Sequence, residues 1–195
     1  MRSICLLLTL LACVCFGEDA KPAEKGKAVD LFDGKTLTGW KVITCEVEVQ
    51  DGNIFLKGGN GVLRTEKTYK DFVLECEWKS LKPDNWDSGV FFRCGDPPKN
   101  YPWPKTYQAN LRKGLEGNVQ ELPEARSTGL TKPGEWNHFK LTVIGTTAEL
   151  EINGKPAWKA GGVTTPEGFI ALQCEVPGGG QFLFRNIKVV ELEAK

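Results

Sequence analysis

One stretch of the chain has an uninterrupted two-residue period: Asp71-Phe72-Val73-Leu74-Glu75-Cys76-Glu77-Trp78-Lys79-Ser80. Such a period places successive side chains on opposite faces, as in a β-strand that buries one face against a core. The face predicted to be buried carries Phe72, Leu74, Cys76 and Trp78. Glu75 and Glu77 would lie on the other face. The stretch therefore predicts an amphipathic strand with two carboxylates on the side away from the core.

Strand-like segments separated by turn residues continue on both sides of this stretch. Asn153-Gly154, between two apolar runs, is a strong signal for a hairpin turn. No segment shows helical periodicity over ten or more residues. The further segments are residues 42–49, 54–57, 62–65, 89–94, 106–112, 139–144, 148–152, 168–175 and 181–192. Many short strands at regular spacing predict an all-β fold, a two-sheet antiparallel sandwich or jelly roll.

The composition limits the classes of partner. The chain has 195 residues, a formal net charge of zero and 22 glycines. Its lysines and arginines form no basic stripe, so nucleic acid is not an expected partner. The length is that of one domain with a substantial core, and the glycines suit tight turns between strands.

The N-terminus has the features of a signal peptide. Arg2 supplies a positive charge, residues 4–16 are largely apolar, and Gly17 is a small residue at a plausible cleavage point. The apolar run is short for a membrane span. We therefore predict an exported protein, periplasmic or extracellular, with a signal peptide over residues 1–17.

A lipid anchor is a second interpretation of the same region. Leu10-Leu11-Ala12-Cys13 resembles a lipoprotein cleavage box, which would make Cys13 the only point of membrane attachment. Residues 18–28, rich in Lys, Glu and Ala, are predicted to form a flexible linker. Residues 29–193 then form the single sandwich domain.

Four cysteines remain after cleavage at Gly17, namely Cys45, Cys76, Cys94 and Cys174. They permit three disulfide pairings, among which the sequence does not choose, and their spacing matches no zinc motif. Alternation places Cys94 on the same face as Val90 and Phe92. Cysteines on apolar faces are more often buried thiols or structural disulfides than nucleophiles.

Seven short motifs occur in a fixed order along the chain. They are Leu31-Phe32-Asp33-Gly34-Lys35 with Gly39-Trp40; Asp71-Phe72-Val73-Leu74 with Glu77-Trp78-Lys79; Asp87-Ser88-Gly89-Val90-Phe91-Phe92-Arg93; Pro133-Gly134-Glu135-Trp136-Asn137; Ile152-Asn153-Gly154-Lys155; Ala171-Leu172-Gln173; and Phe184-Arg185-Asn186-Ile187. In this order they closely resemble the 3-keto-disaccharide hydrolase family. The resemblance covers residues 29–191 and implies a concanavalin A-like lectin/glucanase sandwich that is secreted and acts on carbohydrate.

The chain departs from the family pattern at several positions. Gln108 and Lys113 stand where many members have carboxylates, and Asp87 replaces the asparagine of an Asn-Ser-Gly motif. Leu172-Gln173-Cys174-Glu175 stands where a common ending reads Leu-Gln-x-His-Gly, although some members have Glu at that last place. The departures at Gln108 and Lys113 keep a non-catalytic carbohydrate-binding module open as an alternative. The lipid-anchor interpretation of Cys13 keeps a second one open, an interaction domain of the cell envelope.

Candidate ligand-binding residues come from the polar faces of the predicted strands. Alternation directs Glu77, Arg93, Gln108, Asn110, Gln173 and Glu175 away from the core. If these strands share a sheet, the side chains form one polar hollow suited to sugar hydroxyls. Four aromatic loop residues could stack on sugar rings: Trp86, Tyr101, Trp103 and Tyr107. Of these, Trp103 and Tyr107 are the predicted ligand-binding residues.

The implied reaction assigns a role to each candidate. A ketone at C3 acidifies the C2 proton of a sugar ring, so a carboxylate base can start an elimination that water then completes. Glu175 or Glu77 is predicted to be that base, and Arg93 to stabilise the enolate oxygen. Gln108, Asn110 and Gln173 would orient hydroxyls. Glu77 and Glu175 could alternatively be the carboxyl pair of an ordinary glycosidase.

No cofactor is predicted from the sequence. His138 is the only histidine, which excludes a multi-histidine metal site. Calcium binding through Asp84, Asp87 or Asp96 has no further support, because these residues suit turns. The expected partner is a carbohydrate or 3-keto-glycoside.

Overall fold

The computed structural model describes residues 24–193, which form twelve β-strands and no α-helix. The strands are β1 (Glu24–Lys25), β2 (Val29–Asp30), β3 (Trp40–Gln50), β4 (Asn53–Thr65), β5 (Phe72–Ser80), β6 (Gly89–Cys94), β7 (Gln108–Asn110), β8 (Asn137–Ile144), β9 (Thr147–Ile152), β10 (Lys155–Gly161), β11 (Phe169–Val176) and β12 (Phe182–Glu193). In this part of the chain no helix could cross a membrane. The predicted signal peptide, Cys13 and most of the predicted linker lie outside the described residues.

All strand pairs are antiparallel, in the order β10-β9-β8-β5-β12-β4-β11-β6-β7, with β1 and β2 on β12 and β3 on β4. The two ends of this path meet. Trp158 of β10 donates its indole N–H to the Gly117 carbonyl, beyond β7, at 2.7 Å. The sheet is therefore curled around its core. The predicted all-β antiparallel fold is confirmed, whereas its division into two sheets stays a prediction.

The first and last motifs of the chain lie side by side. Leu31 N donates to the Ile187 carbonyl at 2.8 Å, and the Trp40 indole donates to the Leu31 carbonyl at 2.5 Å. Upstream of these contacts, Glu24 and Lys25 of β1 pair with the end of β12, so the last part of the predicted linker carries backbone pairing.

The predicted apolar face of β5 lies in the main core. Phe72, Leu74, Cys76 and Trp78 are buried, while the residues between them are only partly buried. Trp78 packs edge-on against Phe139 of β8, with ring centroids 5.6 Å apart. Cross-strand aromatic pairs of this kind add stability beyond the area they bury.

Strands β4, β11 and β6 are buried on both faces where they lie together. One face joins the main core through Leu63, Leu172 and Phe92. The other face carries a second apolar cluster formed by Val62, Phe91, Cys94 and Ala171, against which Trp103 packs. The loop over residues 95–107, which connects β6 to β7, covers this second cluster. Strands buried on both faces read as continuous apolar runs, as residues 89–94 largely do.

A β-bulge in β6 makes two sequence-based predictions wrong, the faces assigned to Cys94 and Arg93. Phe91 pairs with Ala171 and Cys94 pairs with Phe169, so two residues of β6 lie opposite the single residue Ile170. Arg93, inside this bulge, has a positive φ of 45°. The extra residue reverses the alternation. Cys94 therefore shares a face with Phe91 rather than with Phe92, and Arg93 leaves the predicted polar face.

Arg93 instead acts as a buried clamp between loops. Its guanidinium is 1 % exposed and donates to the carbonyls of Lys70, Gly145 and Thr165 at 2.6–3.0 Å. It also pairs with Asp71 at 2.9 Å. The planar guanidinium thus satisfies three main-chain acceptors and one carboxylate at once.

The four cysteines of the described chain are free thiols. Burial raises the pKa of Cys76 and of Cys94 to about 12, which makes both thiols unreactive at neutral pH. Cys174 lies 3.3 Å from the Gly58 carbonyl, which accepts its hydrogen bond. These contacts agree with structural roles.

We expect Arg93→Met to lower the free energy of unfolding by about 3–5 kcal/mol, because it leaves Asp71 without its buried partner. Arg185→Met is the matched control. It removes a partly exposed pair with Glu77 and should cost at most about 1 kcal/mol. Urea denaturation of both variants measures the difference. Equal losses would contradict the assignment of Arg93 as a structural clamp.

Candidate functional site

A cavity of about 530 Å³ opens beside the second apolar cluster. Phe91 forms part of its lining, and the loop over residues 95–107 contributes Tyr101 and Trp103. Gln108 and Asn110 come from β7, whereas Gln173 and Glu175 come from β11. We call this the first cavity. Its size is in the range of small-molecule sites.

A row of amide groups crosses the wall of the first cavity. Gln108 Nε2 donates to Gln173 Oε1 at 2.5 Å, and Gln173 Nε2 donates to Glu175 Oε2 at 2.9 Å. These bonds fix the orientation of both amides. They also assign Glu175 Oε2 as an acceptor, so the amide row holds the carboxylate in one orientation.

Gly89 permits this row to form. It lies in β6, opposite Asn110 of β7, and the Gln108 side chain crosses directly over it. A Cβ at position 89 would lie 2.1 Å from Gln108 Nε2. Any other residue would displace Gln108, so the amide row requires glycine here.

A glycine loop brings Asp87 and Glu175 to the same edge of the cavity. Asp87 N donates to the Gly179 carbonyl at 2.8 Å, and Gly179 N donates to the Glu175 carbonyl at 2.5 Å. A Cβ on Gly179 would lie 2.0 Å from the Asp87 carbonyl oxygen. The close approach of these backbones positions two carboxylates from segments that are distant in sequence.

Arg112 lies next to this pair because backbone pairing continues beyond β7. Leu111 N donates to the Ser88 carbonyl and Lys113 N to the Trp86 carbonyl, at 2.9 and 3.0 Å. This ladder sets Arg112 opposite Asp87, with Arg112 Nε 3.9 Å from Asp87 Oδ2. The site therefore combines two carboxylates with one exposed guanidinium.

Burial raises the pKa of both carboxyl groups. For Asp87 burial outweighs the lowering effect of Arg112. For Glu175 burial is again the main cause, the negative charge of Asp87 raises the pKa further, and Arg112 and Lys82 lower it. Carboxyl groups with raised pKa values in a cleft are suited to proton transfer near neutral pH.

Trp103 and Tyr101 form an aromatic corner of the first cavity. Their rings meet edge-to-face with centroids 5.8 Å apart. The Trp103 indole donates to the Cys174 carbonyl at 3.0 Å, which anchors the loop to β11 between Gln173 and Glu175. Aromatic rings held in this way can pack against the apolar face of a sugar.

The structure brings five of the eight predicted site residues together. The residues that line the first cavity are Trp103, Gln108, Asn110, Gln173 and Glu175. Arg93 does not line it, because the bulge in β6 turns it into the loop clamp. Tyr107 does not line it either. Its buried ring stacks on Phe92, and its hydroxyl donates to the Gly162 carbonyl at 3.2 Å.

Glu77 is also outside the cavity, because β12 and β4 separate its strand β5 from β11. Its carboxylate accepts a 2.6 Å hydrogen bond from Arg185, which stacks on the Trp136 ring. His138 lies near this cluster and contacts Glu75 at 3.2 Å. The prediction that Glu77 shares a hollow with Glu175 is wrong, since alternation specifies a face but not the distance between strands.

Sequence reasoning did not select Asp87 and Arg112 as site residues, although Asp87 opens the Asp-Ser-Gly motif. Arg112 follows the same alternation as Gln108 and Asn110, which was the available signal. Asp84 and Asp96, the other calcium candidates, pair with Lys113 and Arg64. Within residues 24–193 no group of three or more His, Cys, Asp or Glu side chains could hold a metal ion.

Solved structures share this fold at low sequence identity. A protein from Parabacteroides distasonis ATCC 8503, described as a candidate glycosyl hydrolase, is 22% identical with a TM-score of 0.67, over 86% of this chain and 100% of its own. The carbohydrate binding module CBM66 from Bacillus subtilis is 15% identical with a TM-score of 0.61, over 77% and 94%. A Bacillus subtilis protein of galectin-like fold is 12% identical with a TM-score of 0.65, over 89% and 100%.

These similarities establish the fold alone, and no curated protein matches the chain. The family described as 3-keto-alpha-glucoside-1,2-lyase-like domain matches residues 27–190, which is most of the chain. This match confirms the resemblance carried by the seven sequence motifs. The chain therefore belongs to the family of 3-keto-alpha-glucoside-1,2-lyase-like domains.

Proposed function

We propose that this protein is an exported enzyme that cleaves 3-keto-glycosides by elimination followed by hydration. The observation that carries the proposal is the paired carboxyls of Asp87 and Glu175, both with raised pKa values, beside Arg112 and the amide row. Membership of the family supports the substrate class. The proposal also includes a two-layered jelly roll of the concanavalin A-like type as the fold.

The reaction begins at C2 of the 3-keto ring. Glu175 removes the C2 proton, and the electron pair moves into the C2–C3 bond to give an enolate at the C3 oxygen. The enolate then re-forms the ketone while C1 and C2 become doubly bonded, and the C1–O bond breaks. The leaving oxygen takes a proton from Asp87. Water adds to C1 and a proton returns to C2, which yields the 3-keto sugar.

Each side chain has a role that its surroundings support. Glu175 is the base, held by Gln173 at Oε2. Asp87 is the acid, because it stands at the same edge of the cavity as Glu175, and burial raises its pKa. Arg112 takes the enolate-stabilising role that the sequence assigned to Arg93, since its side chain is exposed beside both carboxyls. Gln108 and Asn110 orient ring hydroxyls, and Trp103 supports the ring face.

A carbohydrate-binding module is the second candidate function. The observation in its favour is the amide-rich wall, in which Gln108 stands where many family members have a carboxylate. Amides bind hydroxyls but do not transfer protons at neutral pH. In that case 3-keto-glycosides would bind and remain intact. The cell-envelope interaction domain has only the resemblance of residues 10–13 to a lipoprotein box in its favour.

We expect Glu175→Gln to lower the turnover of 3-keto-trehalose by about 10²–10⁴-fold, the usual contribution of a general base. The substitution keeps the acceptor atom that bonds to Gln173, so the cavity should stay formed. Product release followed by chromatography measures the change. Undiminished turnover would remove Glu175 from the catalytic role.

Glu77→Gln tests the other carboxylate that the sequence singled out. Because Glu77 pairs with Arg185 away from the first cavity, we expect turnover within about twofold of the unmodified protein, a difference well below a catalytic effect. A loss as large as that of Glu175→Gln would contradict the site described here. If the unmodified protein binds the substrate without cleaving it, the binding-module function replaces the enzyme.

The pH dependence of the reaction should respond to Arg112. Arg112 lowers the pKa of Glu175, so Arg112→Met should raise that pKa. The acid limb of kcat/KM, below which Glu175 is protonated and cannot act as base, should then move to higher pH. Measurement of kcat/KM across the acidic pH range, for the variant and the unmodified protein, tests this shift. A shift to lower pH would contradict the assignment of Glu175 as the base.

A further inference from the structure

A second cavity of about 400 Å³ adjoins the first one. The two share three lining residues, Asp87, Arg112 and Glu175. The second cavity adds Asn85, Trp86, Lys113 and Gly178 to this shared set. The residues proposed for proton transfer therefore stand at the boundary between two compartments rather than at the end of one.

We propose that the second cavity is the leaving-group subsite, and that it accepts a hydroxylated leaving group such as a second sugar. This inference rests on the proposed function. It assigns the 3-keto ring to the first cavity and the departing ring to the second, with Asn85 and Lys113 as specificity-determining residues. The bond that breaks then crosses the shared boundary.

The position of Glu175 decides which ring occupies which cavity. Gln173, which lines only the first cavity, donates to Glu175 Oε2. The other carboxylate oxygen, Oε1, lies beside Gly178, which lines the second cavity. A Cβ built on Gly178 would be 3.4 Å from it. The carboxylate thus spans the boundary. The amide row beside it matches the hydroxyls and ketone of the ring that must be oriented for proton removal.

The chemistry of the second cavity favours a polar leaving group over an aromatic one. Trp86 is its only aromatic lining residue and is 2 % exposed, so it offers almost no ring face for stacking. Lys113 lies above the Trp86 ring, 5.4 Å from its centroid, and pairs with the exposed Asp84. The ammonium and the Asn85 amide are donors that hydroxyl oxygens can accept.

Two side chains that line the cavities carry a buried polar atom without a hydrogen-bond partner. Among residues 24–193, the buried side-chain atoms without a hydrogen-bond partner belong to Trp78, Trp86 and Thr106. Thr106 lines the first cavity and Trp86 lines the second. Buried polar groups are rarely left unpaired, so each of these atoms requires a structural or functional explanation.

The test compares two substrates that share the 3-keto ring but differ in leaving group, 3-keto-trehalose and methyl 3-keto-α-glucoside. We expect Lys113→Met to lower kcat/KM for 3-keto-trehalose roughly tenfold, the size of one charge-assisted hydrogen bond. For methyl 3-keto-α-glucoside kcat/KM should change by less than about twofold, because its leaving group is too small to make this hydrogen bond. Asn85→Gly should likewise lower kcat/KM for 3-keto-trehalose more than for the methyl glucoside. Glycine suits the positive φ of 51° at that position.

Lys105→Met is the matched control. Lys105 is an exposed lysine that lines the first cavity, so its loss should change kcat/KM by the same factor for both substrates. If Lys113→Met changes kcat/KM equally for both substrates, or leaves both values unchanged, the leaving-group assignment is wrong while the enzyme function stands. If the unmodified protein cleaves neither substrate, calorimetric binding still decides. Lys113→Met should then weaken binding of 3-keto-trehalose alone, and equal effects on both ligands would overturn the subsite.

Discussion

Strands β4, β11 and β6 are buried on both faces, and the rest of the molecule is arranged around that constraint. Their inner face belongs to the main core, while Val62, Phe91, Cys94 and Ala171 on the outer face need a separate cover. The loop over residues 95–107 provides that cover and is anchored by the Trp103 indole. Where the cover ends, Gln173 and Glu175 of β11 line a cavity together with Gln108 and Asn110 of β7. The site is therefore a consequence of how the outer face is buried.

The site combines a carboxyl group whose burial opposes folding, that of Glu175, with glycines that permit the contacts around it. In the folded state burial raises the pKa of Glu175, so its ionised form costs folding free energy. The cost is complete above the raised pKa and disappears as the pH falls to the ordinary carboxyl value. Gly89 and Gly179 permit the backbone and side-chain contacts that enforce this arrangement. A buried charge that lowers stability is typical of functional sites, where stability is lost in favour of chemistry.

Sequence periodicity predicted much of the fold and the polar faces of Gln108, Asn110, Gln173 and Glu175, which line the first cavity, because period-two alternation reports which face of a strand a side chain occupies. It failed in two different ways. At Arg93 one extra residue in β6 reversed the alternation. At Glu77 the face was polar as predicted, but two strands separate it from β11. Tyr107 was a candidate because it is aromatic and not because of alternation; its hydroxyl bonds to the Gly162 carbonyl and its ring lies in the core.

The sequence by itself determined the all-β class, the antiparallel pairing and the family, because alternation, turn residues and ordered motifs are local properties. Only the tertiary structure decided that Asp87, Arg112 and Glu175 meet, and that their cavity has a second compartment. Two long-range pairings decide this, the ladder from Asn110 to Lys113 and the contact of Gly179 with Asp87. Alternation predicts the face of Arg112, but it does not indicate which segments these pairings join, because their separation depends on how the whole sheet curls.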